Sequence, residues 1–443
     1  MKKILFLLLT VFAAITAEAR QWTLQECLDY ALSHNISIRQ TSLTRQSANE
    51  DLLQSQSALL PTLSASTSQN GTFRPWPATN AVTVSNSTVQ SGADKFYYNG
   101  MYAVNGNWTV WNGNQNRNQV KLNELTLRQA ELDSAITANS IQEQIAQLYV
   151  QILYSADAIE VNKAALETSK KNEERGQTFV EVGKMSRADL SQLTAQRAQD
   201  EYSIVEAESN LLNYKRQLKQ LLQLTDDEEF DVVIPTTTDE MALQVIPTLR
   251  SVYEQALTTR PEIKNAEIGI EASELDIAIA KAGKLPTIGL NASAMTSNSS
   301  LSDNGLGKQL KNNFDIGAGV SVSIPLFDNR QTKTAVNKAK IARENYLLQL
   351  ENEKTTLYST IENYWLQAVT NQNKFKAAKT ATESQETSYE LLSEQFRLGL
   401  KNIVELMTGR DNLLSAQQNE LQSKYLAILN IEMLKFYRDG SLK

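Results

Sequence analysis

The sequence predicts an α+β membrane protein in which long coiled-coil helices are combined with four amphipathic strands, arranged as two internal repeats. Three observations lead to this prediction. One strand alternates strictly between apolar and small polar residues, two segments of more than sixty residues contain no proline, and the same short motifs recur in both halves of the chain. Each observation is weak alone, but together they restrict the fold class.

The clearest strand is residues 314–324, because successive side chains of a strand point to opposite faces. One face is apolar and carries Phe314, Ile316, Ala318, Val320, Val322 and Ile324. The other face is small or polar and carries Asp315, Gly317, Gly319, Ser321 and Ser323. A strand of about a dozen residues crosses a bilayer when tilted. We expect the apolar face to meet lipid and the polar face to line a water-filled lumen, although a soluble sandwich strand shows the same alternation.

Each half of the chain contains a strand that begins after Leu-Pro-Thr. Residues 60–62 have this sequence and residues 285–287 repeat it, 225 positions later. Polar loops, expected to be poor in helix, follow at roughly 72–98 and 297–312, and each leads to a return strand. Recurrence at one offset indicates an internal duplication, so we expect four strands in two hairpins.

The return strands lead into long helices at 114–176 and 330–395, whose only glycine is Gly176 at the end of the first. At about 1.5 Å per residue each helix would be roughly 90–100 Å long. The second has a heptad-like apolar stripe, which is typical of coiled coils, at Leu347, Leu350, Leu357, Ile361, Tyr364, Ala368 and Phe375. Gly183 and Gly399, 216 positions apart, are expected to end these helices as left-handed caps.

The N-terminus and the composition narrow the class of protein further. Residues 1–19 have the basic start, apolar run and Ala-x-Ala site of a signal peptide, whose removal changes the formal charge from −7 to −8. This acidic balance argues against a nucleic-acid partner. One cysteine and one histidine, Cys27 and His34, exclude the usual zinc sites and His-based catalytic pairs. We therefore expect no zinc site, and the sequence gives almost no support to an enzyme.

Four strands from one chain cannot close a barrel, and an open sheet edge in lipid is prohibitively costly. Two chains would supply eight strands, whose interior is filled by side chains, whereas three would supply twelve. The small side chains predicted to face the lumen favour the open interior. We therefore expect a homotrimer with a transmembrane β-barrel of twelve strands.

At this point the sequence resembles the TolC-like outer-membrane efflux protein family. The motifs are Trp22-Thr23-Leu24 with Ala31-Leu32, the two Leu-Pro strand starts, Pro325-Leu326-Phe327 and the two glycine turns. The resemblance implies a homotrimeric channel-tunnel in the outer membrane and periplasm. It would be the passive exit duct of an efflux or type I secretion system, fed by an inner-membrane pump of the RND, ABC or MFS type through a periplasmic adaptor.

The resemblance also implies a division of the chain into domains. Residues 61–112 and 285–327 would form the outer-membrane hairpins in contact with lipid. The periplasmic helical barrel, with a mixed equatorial region, would comprise residues 20–60, 113–284 and 328–443, and residues 225–247 would link the repeats. The notable alternative is a soluble periplasmic coiled-coil protein, structural or an adaptor, which would leave the duplicated amphipathic hairpins unexplained.

In the family the glycine turns form the periplasmic tip, where the adaptor docks and the tunnel narrows. By motif position this assigns docking to Val182, Gly183, Leu398 and Gly399. It assigns the constriction to Glu405, Lys401, Asp189 and Asp411. Phe396 stands where the family often has an aromatic hydroxyl, and Thr408 stands where a second acid can occur, with Asp411 three residues later. Repeated carboxylates around a narrow bore would attract cations.

Overall fold

The computed structural model describes residues 21–76, 82–85, 88–91, 95–225 and 230–442. The predicted signal peptide, residues 1–19, lies outside these residues, as does the acidic run 226–229 of the predicted linker. No helix of the described chain has both the length and the apolar composition needed to cross a bilayer.

The described helices follow one another in chain order as α1 (Leu24–His34), α2 (Ile36–Ser57), α3 (Gln115–Glu181), α4 (Arg187–Leu222), α5 (Asp239–Ala242), α6 (Leu249–Thr259), α7 (Pro261–Ala282), α8 (Leu306–Asn312), α9 (Gln331–Arg397) and α10 (Ile403–Asp439). The described strands are β1 (Gln21–Trp22), β2 (Thr62–Phe73), β3 (Val82–Ser85), β4 (Thr88–Ser91), β5 (Phe96–Trp111), β6 (Asp231–Val232), β7 (Thr287–Ser299) and β8 (Asp315–Ser323). The chain forms two compact units, and α3 and α9 contribute residues to both.

The described residues of the first unit lie within the ranges 21–41, 133–263 and 353–442. Its core is built from apolar side chains of α1, α3, α4, α6, α9 and α10, among them Cys27, Ile145, Ile152, Leu218, Val252, Ile361 and Phe436. The short strand β1 pairs in parallel with β6, so the chain segment after α4 returns to the N-terminal strand. Burial of this apolar surface is the main stabilising term of the unit.

The second unit, residues 42–132 and 264–352, contains the antiparallel sheet β2-β5-β7-β8. Its register aligns residues of similar polarity across neighbouring strands. One row contains the apolar residues Val104, Ala294 and Ile316. The next row, on the other face, contains Asn105, Ser293 and Gly317. Alternation then places apolar residues of all four strands on one face. The opposite face is mostly hydroxyl, amide and glycine. The edge strands β2 and β8 each pair on one side only.

Corresponding elements of the two halves have matching lengths. Helices α1 and α6 have 11 residues each, α2 and α7 have 22, and α3 and α9 have 67. The first two pairs begin 225 positions apart and the third begins 216 positions apart, the same offsets that the sequence motifs show. The stripe predicted on α9 reaches the core at Ile361, Ala368 and Phe375, whereas Leu347 is exposed.

The strand predicted over 314–324 is confirmed as β8, which is one residue shorter at each end. Two local predictions were wrong. The loop 297–312 was expected to be poor in helix but contains α8. Gly176, placed at a helix end, lies inside α3, because the glycine that adopts a left-handed backbone is Gly183, at φ 73°. Only a glycine that must take positive φ forces the helix to stop.

Candidate functional site

Two helical hairpins of the first unit, α3–α4 and α9–α10, turn at glycine. Gly183 and Gly399 have φ of 73° and 74°, a backbone region that favours glycine. Lys184 N–H donates to the Phe179 carbonyl (2.7 Å) and Gly183 N–H donates to the Val180 carbonyl (3.1 Å). The second turn repeats this pair of bonds, which satisfies the last carbonyls of each helix as a Schellman motif does.

Each returning helix begins with a side-chain cap and an acid three residues later. Ser186 caps α4 by accepting from Asp189 N–H (3.1 Å). Asn402 caps α10 by accepting from Glu405 N–H (2.9 Å), and Glu405 Oε2 accepts from Asn402 N–H (3.2 Å). The second arrangement is a complete capping box. Two of the three predicted constriction acids, Asp189 and Glu405, therefore lie in first helical turns, where the helix dipole favours a negative charge.

Glu405 has a second partner, Lys401, whose Nζ lies 2.5 Å from Glu405 Oε1. The Lys401 hydrogen bond, with a smaller contribution from the Asn402 N–H, lowers the pKa of Glu405 below its ordinary value. The structure thus brings together Lys401 and Glu405, which the sequence predicted as neighbours in one site. Both oxygens of the carboxylate are engaged, so its charge is partly offset within the same chain.

Asp411 lies six residues after Glu405, nearly two turns further along α10, and its side chain is exposed. It accepts from Arg410 Nη1 at 3.0 Å, and the same guanidinium donates from Nη2 to the buried Asp200 of α4. Asp200 also accepts from Ser169 Oγ of α3 and from Gln196 Nε2 (3.1 Å). This buried polar cluster joins the two hairpins. This cluster was not predicted from the sequence. Its one signal there is Arg410, a charged residue among the mostly apolar buried residues of α10.

Phe396 belongs to a small apolar cluster at the same end of the hairpins, with Leu193, Ile403 and Leu406. Its ring lies 6.0 Å from that of Phe179 across the two hairpins. An aromatic hydroxyl does occur nearby, since Tyr389 of α9 accepts from Asn172 Nδ2 of α3 at 3.1 Å. Contacts between the hairpins at this end are therefore partly apolar and partly hydrogen-bonded.

The turns themselves expose apolar side chains. Val182 and Leu398, each one residue before the turn glycine, are 61% and 58% exposed, and Leu400 and Val404 are also exposed. No side chain approaches within 4 Å of the position that a Cβ would take at Gly183 or Gly399. An uncovered apolar patch at the end of a helical hairpin is typical of a contact surface for another protein.

The strand residues predicted to face a lumen all lie on the polar face of the sheet. Asp315 pairs with Met295, Gly317 with Ser293, Gly319 with Asn291, Ser321 with Gly289 and Ser323 with Thr287. Asp315 is the only charged residue of this face in the paired region of β7 and β8. No group of three or more His, Cys, Asp or Glu side chains able to hold a metal ion occurs in the described chain.

The chain is similar, over part of its length, to one family of known proteins. Residues 252–435 match the family described as "Outer membrane efflux protein". The Vibrio cholerae outer membrane protein TolC is 22% identical over 70% of this chain and 70% of its own length. The Pseudomonas aeruginosa alkaline protease secretion protein AprF is 21% identical over 66% of this chain and 60% of its length.

The fold is also similar to a solved structure. The Campylobacter jejuni CmeC outer membrane channel superposes with a TM-score of 0.77 at 19% identity, covering 94% of this chain and 86% of CmeC. The resemblance predicted from the short motifs is therefore confirmed. Over residues 252–435 and in its fold, the chain is similar to the outer membrane efflux proteins.

Proposed function

We propose that three copies of this chain form the outer-membrane exit duct of a tripartite efflux or type I secretion system. The observation that supports this most directly is the sheet β2-β5-β7-β8. Its apolar face leaves Leu63, Ile316 and Val320 exposed in a single chain, and its edge strands are unpaired on one side. Lipid would cover that face, and the β2 and β8 edges of neighbouring copies would pair.

Three copies would give twelve strands, an even number in the range of bacterial outer-membrane barrels. The polar face would then surround the lumen, with Asp315, Gly317, Gly319, Ser321 and Ser323 among the lining residues. The equal lengths of corresponding helices support an origin of the two halves by duplication, which gives the trimer pseudo-sixfold character. The long helices would continue the bore into the periplasm as a coiled-coil barrel.

The hairpin ends would be the periplasmic tip of the duct. Glu405, Lys401, Asp189 and Asp411 would surround its constriction, with Glu405 and Lys401 paired as described above. Asp411 is exposed, and its charge is partly offset by Arg410, as that of Glu405 is by Lys401. The buried cluster around Asp200 would hold the two hairpins of each chain together at this level.

Val182, Gly183, Leu398 and Gly399 would form the docking surface for a periplasmic adaptor. Exposed valine and leucine beside an open glycine turn suit an apolar contact with a helical tip of the partner. The adaptor would connect the duct to an inner-membrane pump of the RND, ABC or MFS type, which supplies the energy. The duct itself is passive and uses no cofactor. The family description as an efflux protein and the name of AprF as an alkaline protease secretion protein are compatible with efflux and with protein secretion.

The alternative function is that of a soluble periplasmic coiled-coil protein, structural or an adaptor. It requires the first unit alone and gives no role to the exposed apolar face of the sheet. The two functions differ in oligomeric state and in the need for detergent.

Single-channel recording of the detergent-purified protein in a planar bilayer tests the proposal. We expect a cation-selective trimeric pore whose selectivity falls in Glu405→Ala. Lys163→Ala, which removes an exposed charge elsewhere on α3, serves as the control. A protein that stays monomeric and stable without detergent, and passes no current, would overturn the duct and favour the coiled-coil alternative.

A further inference from the structure

A groove of about 430 Å³ runs along the apolar face of the sheet in the second unit. Its walls include Ala65, Tyr102, Val104, Ala294, Thr296 and Phe314. The small side chains of Ala65 and Ala294 and the large ones of Tyr102 and Phe314 all line it. Its apolar walls suit a hydrocarbon chain.

Helix α8 lies at one end of this groove. Thr296, a groove residue, donates from Oγ1 to the Leu310 carbonyl of α8 at 2.7 Å. Two further bonds hold the helix on β7, from Asn313 Nδ2 to the Ser297 carbonyl (2.8 Å) and from Ser299 N–H to Gln309 Oε1 (2.8 Å). The buried Gln309 also donates to the Asn304 carbonyl (2.6 Å), so α8 is fixed in place by its own loop.

The outer surface of α8 combines basic and apolar side chains. Lys308 and Lys311 are both exposed, and neither makes an ion pair with a residue of the described chain. Lys311 directly follows Leu310, the residue bonded to the groove wall, and Leu306 exposes 55% of its surface. The nearest acid on β8, Asp315, belongs to the opposite face of the sheet. A positive charge therefore stands at the end of an apolar groove without a neutralising partner.

We propose that this groove and α8 form a binding site for one phosphate-bearing membrane lipid. An acyl chain would occupy the groove, and the headgroup phosphate would lie between Lys308 and Lys311. These two positive charges lie where the apolar surface of the groove ends. The inference rests on the proposed function, because lipid reaches this face only if the sheet spans the membrane. Tyr102, at the groove wall, would sit at the depth of the membrane interface.

The test reconstitutes the trimer in vesicles of phosphatidylglycerol and phosphatidylcholine in equal amounts, re-extracts it in mild detergent, and counts both lipids per trimer by mass spectrometry. We expect the wild type to retain more phosphatidylglycerol than phosphatidylcholine. Removing both lysines in Lys308→Ala/Lys311→Ala should lower that preference by about tenfold, given the usual contribution of a lysine near an anionic headgroup. Ala294→Phe, which fills the groove, should lower the retention of both lipids.

Two matched controls make the same changes of charge and of side-chain bulk outside the proposed site. Lys338→Ala/Lys340→Ala removes two exposed lysines from α9. Ala292→Phe fills a second apolar groove, of about 500 Å³, lined by Gly106, Leu290 and Ala318 but by no lysine. Both should retain the wild-type preference for phosphatidylglycerol.

The proposed site is overturned if wild type retains the two lipids equally, or if the α8 variant and its control behave alike. Conductance measured on the same preparations separates this result from the function of the duct. If the wild type conducts but shows no lipid preference, only the proposed lipid site is disproved. If the wild type prefers phosphatidylglycerol but passes no current, conduction by the duct is disproved, and the proposed lipid site is supported.

Discussion

Arg410 of α10 donates to Asp200 of α4, and both side chains are almost completely buried. The two residues lie 210 positions apart in the sequence and join the two helical hairpins of the first unit. Asp200 accepts two further hydrogen bonds, from Ser169 and Gln196, so its carboxylate is well satisfied. The guanidinium is less so, because Arg410 Nε has no hydrogen-bond partner. A buried ion pair of this kind determines which helices can meet more than it adds to stability.

The first prediction follows from the cost of leaving one buried charge without its partner. Asp200→Ala should lower the free energy of unfolding by about 3–5 kcal/mol, because Arg410 would remain charged in an apolar environment. The double variant Asp200→Leu/Arg410→Met should recover most of that loss, since it removes both charges and fills the volume. Guanidinium unfolding followed by circular dichroism measures both values.

The matched control is the exposed pair Glu160 and Lys163 of α3, which lie 3.0 Å apart. Glu160→Ala should cost less than about 1 kcal/mol, because water replaces the lost partner of an exposed ion. If Asp200→Ala cost no more than Glu160→Ala, the buried pair would have no structural importance.

Long-range pairs of this kind are the part of the site that the sequence could not predict. The lengths of α3 and α9, the glycine turns and the Lys401–Glu405 pair follow from local rules: the absence of proline, the left-handed cap and the four-residue spacing. The pairing of Asp200 with Arg410 depends instead on how two hairpins pack, and the sequence near Arg410 does not identify its partner. Helix α8 was missed because Gly305 and Gly307 suggested an irregular loop.

The break between α1 and α2 shows how one half of the chain could have informed the other. Two helices precede residue 60, because α1 ends at His34, before the buried Asn35, and α2 begins at Ile36. The corresponding position of the second half is Arg260, followed by Pro261, the first residue of α7. Proline favours the first position of a helix. The repeat therefore contained a boundary signal that residues 31–36 alone do not show.

The second prediction concerns the pH dependence of cation selectivity. The pKa of Glu405 is lowered, chiefly by Lys401, so its carboxylate should keep its charge at a pH where an ordinary glutamate is partly protonated. Selectivity should fall only as the pH drops through that lowered pKa. Lys401→Met removes the largest cause of the shift, so the fall should begin at a higher pH. The reversal potential in a KCl gradient, recorded from neutral to acidic pH, measures the transition.

The control for this experiment is Lys184→Met, at the other glycine turn. Lys184 is exposed and carries the same charge, but it has no contact with Glu405 among the contacts of the described chain. It should raise cation selectivity without moving the pH of the transition. Equal shifts for Lys184→Met and Lys401→Met would show that only the total charge of the tip matters.

The third prediction tests the docking surface. Val182→Asp and Leu398→Asp should each weaken binding of the periplasmic adaptor by about tenfold or more, because each puts a charge into an apolar contact. Biolayer interferometry with the adaptor from the same host measures the affinity. Val245→Asp is the control, because Val245 is an exposed valine of the inter-repeat linker, 92% accessible. A similar loss of affinity in Val245→Asp would argue that charge, rather than the turn surface, determines binding.

The fourth prediction concerns the backbone where the second sheet hairpin enters α9. Arg330 has φ of 67°, a left-handed conformation that costs a residue with a Cβ about 1–2 kcal/mol. Its counterpart in the first half, Asn114, has φ of 65°, but asparagine tolerates this conformation better. Arg330→Gly should therefore raise the free energy of unfolding by about 1 kcal/mol, and Asn114→Gly should raise it by less.

The bond that begins α9, from Thr334 N–H to the Arg330 carbonyl (2.9 Å), involves only backbone atoms at residue 330 and is retained in Arg330→Gly. Lys338→Gly, inside α9, should have the opposite effect and lower the free energy of unfolding, because glycine in a helix interior lowers stability by about 1 kcal/mol. Thermal unfolding of the trimer in detergent compares the three variants. If Arg330→Gly lowered the melting temperature as Lys338→Gly does, the left-handed backbone at Arg330 would carry no strain, and the contacts of its side chain would decide the geometry of the turn.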